Sequence, residues 1–129
     1  MREIDASLLM SCQADPFWNL ALECKGRCAY CDLDGSTDYR ILANFEMDHL
    51  IPKVAGGTDH RSNRVLACRR CNDDKWRYNP CEGVVPQELT QEQRRDLISK
   101  SRQYVETKRG RFYSLLHDAL NQPALTDPN

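Results

Sequence analysis

The sequence predicts a small α+β domain in which short strands and helices assemble on a four-cysteine metal site. Three observations predict it. The pairs Cys28-Ala29-Tyr30-Cys31 and Cys68-Arg69-Arg70-Cys71 offer four thiols in two Cys-x-x-Cys knuckles, a spacing that lets both sulfurs of each pair reach one small ion and marks a tetrahedral zinc set. Two short runs between and beside these pairs, Phe45 to His49 and Arg64 to Ala67, have strand character. Helix-start signals flank the whole arrangement, at Asp15-Pro16 and at Thr90-Gln-Glu-Gln93.

At 129 residues the chain is sized for one domain, with a modest core that a metal staple would strengthen. No apolar run is long enough to span a bilayer, and Met1-Arg-Glu-Ile-Asp5 lacks the apolar centre of a secretory signal. A cytoplasmic protein with no membrane partner is therefore expected. With four of the seven cysteines assigned to zinc, Cys12, Cys24 and Cys81 are expected to be buried free thiols, as a reducing compartment predicts.

The net charge of −1 is unevenly spread. Residues 1–50 hold four Lys/Arg and nine Asp/Glu, residues 51–80 seven and three, and residues 81–129 seven and seven. Positive charge thus gathers on the second half of the cysteine-bounded segment, and again between Arg94 and Arg111. Two readings of that later run stay open: side chains that follow nucleic-acid phosphates, or a solvated helix face.

In chain order, Ile4 to Met10 suits a short helix begun at Asp5. A second follows Asp15, where Asp caps, Pro16 takes the first helical position, and Phe17, Leu20, Ala21 and Cys24 share one face. Gly26 ends it. Asp34-Gly35 marks a turn, and Pro52, Gly56 and Gly57 mark a turning loop between the strands. A helix is expected from about Arg70 to Arg77, stopped by Asn79-Pro80. The helix that Thr90 opens carries Leu97, Ile98, Ser101, Tyr104, Val105, Phe112, Leu115 and Leu116 at helical spacing, with a break expected near Gly110. The chain divides into an N-terminal helical extension (1–26), a core (27–80), a C-terminal helical extension (81–121) and a disordered tail (122–129).

The loop between the cysteine pairs exceeds ordinary zinc-ribbon spacing and carries Asp48-His49, which a purely structural knuckle would not need. In order and spacing, Cys28, Cys31, Asp48-His49-Leu50-Ile51-Pro52, Gly56-Gly57, Asn63, Cys68, Cys71-Asn72 and Lys75 resemble the HNH endonuclease family. The resemblance covers roughly Arg27 to Pro80 and departs at the third letter, where Asn72 stands for His. It implies a ββα-metal (His-Me finger) core on the four-cysteine zinc site.

The chemistry it implies matches what phosphodiester hydrolysis demands: a positioned nucleophile, neutralised phosphate charge and a stabilised leaving oxygen. His49 suits the role of general base, because imidazole ordinarily titrates near neutrality. Asp48 and Asn72 offer hard oxygen for Mg²⁺ or Mn²⁺, and Asn63 orients His49. Lys75, Arg69 and Arg70 are candidates for phosphate contacts. His60 and His117 match no motif position. The expected function is a metal-dependent endonuclease acting on double-stranded DNA, with a directing protein partner and the oligomeric state left open. The alternative is a zinc-stabilised module that binds nucleic acid or protein without cutting.

Overall fold

The computed structural model describes residues 3–123. Helix α1 (Ala6–Ala14) starts after Asp5, whose carboxylate accepts the Leu8 N–H at 3.1 Å, and runs four residues past Met10. Asp15 then caps α2 (Pro16–Glu23) by accepting the N–H groups of Phe17 and Trp18 at 2.9 and 3.3 Å. Leu20 and Ala21 are the buried residues of α2. Gly26, at φ 69°, turns the chain into the first cysteine pair.

The short helix α3 (Tyr39–Leu42), capped by Asp38, was not anticipated from the sequence. Strand β1 (Phe45–His49) pairs antiparallel with β2 (Arg64–Cys68), Phe45 opposite Cys68 and His49 opposite Arg64. A lone two-stranded ribbon is marginal in water, and here α2 and α4 (Arg69–Lys75) both pack against it. Burial follows: Val65, Leu66 and Ala67 have no exposed surface, so β2 reads as a continuous apolar run instead of an alternating one. Helix α4 ends two residues before the expected Arg77, because Trp76 takes a positive φ of 46°. Asn79-Pro80 lies beyond the actual stop.

Helix α5 (Gln91–Leu120) opens on the expected capping box: Thr90 Oγ1 accepts the Gln93 N–H at 3.1 Å and Gln93 Oε1 accepts the Thr90 N–H at 2.9 Å. It runs unbroken through Gly110, whose missing Cβ faces open space. Its first half packs, burying Leu97, Ser101 and Val105, whereas Phe112, Leu115 and Leu116 beyond it are exposed. The apolar stripe is therefore covered only as far as the core reaches.

The basic run on α5 is largely used internally. Arg94 donates to the Arg64 carbonyl at 2.9 Å, Arg102 pairs with Asp32 at 2.5 Å and donates to the Tyr30 carbonyl at 3.4 Å, and Lys108 donates to the Asp74 carbonyl at 2.7 Å. Lys100 pairs with Asp96 one turn away. Arg94, Arg102 and Lys108 thus lash the helix to the core, a use of the basic run that neither of the two open readings named.

Cys24 and Cys81 are half-buried free thiols, less enclosed than expected. Of the tail expected to be disordered, 122–129, everything from residue 124 lies outside the described residues. Among the described residues no helix is long and apolar enough to cross a membrane.

Candidate active site and metal centre

The four cysteines converge. Cys28 and Cys31 leave α2 through Gly26, Cys68 ends β2 and caps α4, and Cys71 sits in the first turn of α4. Their sulfurs all lie within 4.8 Å of one another, with Cys31 and Cys68 at 3.7 Å. A tetrahedron with metal–sulfur bonds of about 2.3 Å has edges of about 3.8 Å, so this set could bind zinc. Each knuckle closes on an N–H···S contact of 3.4 Å, Tyr30 N–H to Cys28 and Cys71 N–H to Cys68. Sulfurs this close cannot all ionise without a cation among them. Hydrogen bonds from Cys28 and Cys71 hold Cys68 down at about 3, while those with Cys28 and Cys68 push Cys71 up. From α5, Arg109 donates to Cys71 Sγ at 3.0 Å and pairs with Asp74 at 3.2 Å.

On the neighbouring strand, Asp48 points inward and is almost fully buried. Tyr30 OH donates to its Oδ2 at 2.5 Å, and Lys75 Nζ lies 3.0 Å from the same oxygen. Neither engages Oδ1. Burial, then the charge of Asp48, holds the Tyr30 phenol well above its ordinary value, so it stays protonated and donates. Lys75 also donates to the His49 carbonyl at 3.0 Å and has no exposed surface. It cannot be a phosphate contact; it is the buried counter-ion of Asp48. Of the other candidates, Arg70 is paired with Asp74 at 2.9 Å, and Arg69 is exposed.

His49 ends β1 with its ring partly open, and Asp59 Oδ1 accepts from its Nε2 at 2.7 Å. A carboxylate only accepts, so this bond places the ring proton on Nε2 and leaves Nδ1 as the basic nitrogen. Lys53, 2.6 Å from Asp59 Oδ2, and then His49 hold Asp59 below the usual carboxylate range. Neither Asp59 nor Lys53 was expected from the sequence. A carboxylate ten residues beyond a histidine, across a loop, carries no local signal.

Asn63 reaches His49 only through the backbone. Its side chain accepts the Ile51 N–H at 2.9 Å and donates to the Ile51 and Thr58 carbonyls at 3.0 and 2.9 Å, and its own carbonyl accepts the Leu50 N–H at 2.8 Å. Asn63 thus steadies the loop that leaves His49 and delivers Asp59 back to it. The same loop needs Gly57, where a Cβ would fall 1.8 Å from the Ile51 carbonyl oxygen. His60, without a motif role, caps the turn at Arg61–Asn63 through Nδ1.

Asn72, one residue after Cys71, faces β1 across α4, and its Nδ2 donates to Glu46. That contact directs the amide oxygen away from the carboxylate. Glu46 was also missed: a charged residue on a strand ordinarily reads as a solvated face.

The structure thus places Asp48, His49 and Asn63 towards the loop end of the hairpin, where His49 lies opposite Arg64, and Asn72 on α4 against Glu46, towards the end where Cys68 lies opposite Phe45. Residues 28–77 match the HNH endonuclease family model. This segment is an HNH domain. Over 77 aligned residues the chain is 38% identical to the CRISPR-associated endonuclease Cas9 of Corynebacterium diphtheriae, an alignment that takes in 53% of this chain and 7% of that protein. The chain therefore spans only a small part of that relative's length. No solved structure matches the chain. Both matches support a nuclease reading of the HNH domain, whose two strands and following helix are a ββα-metal arrangement.

Proposed function

We propose that this chain is a metal-dependent endonuclease that hydrolyses phosphodiester bonds in DNA, with residues 27–80 as the catalytic core and both flanks as helical extensions. The observation that carries this reading is the His49–Asp59 contact. It seats a ring proton on Nε2 and leaves Nδ1 as the nitrogen that can take up another, the arrangement a general base requires. His49 takes a proton from the attacking water, and Asp59 holds the ring in that orientation while the imidazolium forms.

Asp48 Oδ1 and the Asn72 amide oxygen are hard donors suited to Mg²⁺ or Mn²⁺. Such an ion, when bound, supplies charge for the phosphate and the departing 3′ oxygen. Tyr30 and Lys75 hold the other oxygen of Asp48, which fixes the carboxylate without using its second donor. Products carry 5′-phosphate and 3′-hydroxyl ends. The Cys28, Cys31, Cys68 and Cys71 set takes zinc as a structural ion. It anchors the start of α4, and hence Asn72, against β2. Duplex DNA is the favoured substrate, with a protein partner to direct cleavage.

The test is plasmid nicking by the zinc-loaded protein with Mg²⁺, with Mn²⁺ and with EDTA, zinc content being measured alongside. Nicking that needs the added cation supports the proposal. A folded, zinc-loaded protein that binds plasmid yet never nicks it assigns the domain to binding alone.

A further inference from the structure

Trp76 closes α4 in a conformation that L-residues avoid, φ 46° and ψ −111°. Glycine enters that region freely, whereas a bulky aromatic there is a genuine outlier. Its surroundings fix it in place: Trp76 N–H donates to the Asn72 carbonyl at 2.9 Å, and Tyr78 N–H donates to the Lys75 carbonyl at 2.9 Å. Lys75 just before it is buried with its ammonium on Asp48. The chain must therefore leave the core sharply at residue 76, and the indole ends up outside.

Packing does not account for that indole. Trp76 is 69% exposed, while the second tryptophan, Trp18, packs against the core with Phe17 edge-on at 5.1 Å. The Trp76 ring has Arg77 for company, its guanidinium carbon 4.9 Å from the ring centroid. A strained backbone, an uncovered aromatic face and an adjacent cation stand together one helical turn beyond Asn72. Strain of this kind concentrates where a site needs a particular side chain.

We infer that Trp76 is a stacking platform for an unpaired nucleobase, with Arg77 meeting the neighbouring phosphate. This rests on the nuclease reading and deepens it, naming an unstacked base near the scissile bond as part of the substrate. Every base has a π-face, so stacking on an indole adds affinity with little sequence preference. A base inside an intact duplex has no free face to offer. The platform thus takes a base that is unpaired, at a frayed or looped position beside the duplex or in a single strand.

The experiment uses the full chain with Trp18→Phe, so that Trp76 is the only tryptophan, with Ca²⁺ in place of Mg²⁺ and zinc content verified. Single-stranded and blunt duplex oligonucleotides carrying a fluorescent label are titrated, reading indole emission and label anisotropy together. Emission should be quenched by single-stranded DNA and less so by duplex. Trp76→Gly should raise the thermal midpoint, because glycine relieves the φ, yet weaken single-stranded binding roughly 5- to 150-fold. Trp76→Phe should keep most of the affinity. Unchanged indole emission at saturating anisotropy, or a Trp76→Gly variant that binds as tightly as the parent, overturns the assignment of Trp76 alone. No anisotropy change with any DNA overturns the nuclease reading and this inference with it.

Discussion

Lys75 buries its ammonium 3.0 Å from Asp48 Oδ2, and that pair joins the last turn of α4 to the end of β1. Burial lowers the lysine's pKa, and the charge of Asp48 only partly offsets it. Removing one partner of such a pair leaves the other charged and enclosed, which costs about 3–5 kcal/mol. Lys75→Met should therefore destabilise the domain by that order in urea unfolding at pH 7, with Asp48→Asn/Lys75→Met recovering part of the loss. A change in Lys75→Met below about 0.5 kcal/mol, the range of an ordinary surface site, would contradict the burial.

In the proposed mechanism Asp59 acts on the base and not on the substrate. Its pKa is depressed, first by Lys53 and then by His49. For a carboxylate depressed on folding, the stabilising contribution is present above the unfolded value and is lost as pH falls through the depressed one. Asp59 consequently stays ionised throughout the neutral range, and the acid limb of the pH–rate profile should not report it. Asp59→Ala should slow nicking less than His49→Ala, whose loss is typically ~10²–10⁴-fold. An Asp59→Ala rate equal to the parent's would remove Asp59 from the site.

Metal retention should depend on all four sulfurs and on α5. Cys68→Ser should lose zinc and unfold the domain, because structural zinc binding is coupled to folding. Arg109 donates to Cys71 Sγ from the far helix, so Arg109→Ala should release zinc faster to a chromogenic chelator while the protein stays folded. Full zinc content in Cys68→Ser would remove that residue from the ligand set.

Salt dependence separates an internal tether from a phosphate contact on α5. Arg94 and Arg102 spend their guanidinium groups on Arg64, Tyr30 and Asp32. Their Gln variants should lower stability and leave the log–log salt slope of duplex binding unchanged. A flattening of about 0.9 per substitution would return them to the DNA face.

The parts legible in the sequence were those written in short-range patterns. Cys28/Cys31 and Cys68/Cys71 announce themselves by spacing, Thr90 and Gln93 by a three-residue box, and Asp15-Pro16 by the chemistry of a helix start. Asp48, His49, Asn63 and Asn72 were singled out because their order along the chain resembles a family. What escaped was set by tertiary packing. Lys75 is the plainest case: its residue type predicts exposure, and only the closure of α4 on β1 encloses it against Asp48. Glu46 and Asp59 acquire partners across the helix and across the loop, and no local pattern marks either. The basic run on α5 stayed open for a related reason, because charge density alone does not distinguish a helix facing solvent from one whose arginines reach into the core. Gly110 likewise looked like a break, yet α5 continues through it, since one glycine weakens a long helix by only about 1 kcal/mol.

The central claim is that His49 does chemistry, and the most direct test is the plasmid-nicking rate of His49→Ala beside the parent at saturating Mg²⁺. Zinc content and thermal midpoint of the two proteins are matched first. The ring of His49 is partly exposed and, among the described residues, is tethered to the surface residue Asp59, so its removal should leave fold and zinc intact. The account predicts a rate lower by ~10²–10⁴-fold. A His49→Ala protein that nicks as fast as the parent would contradict it.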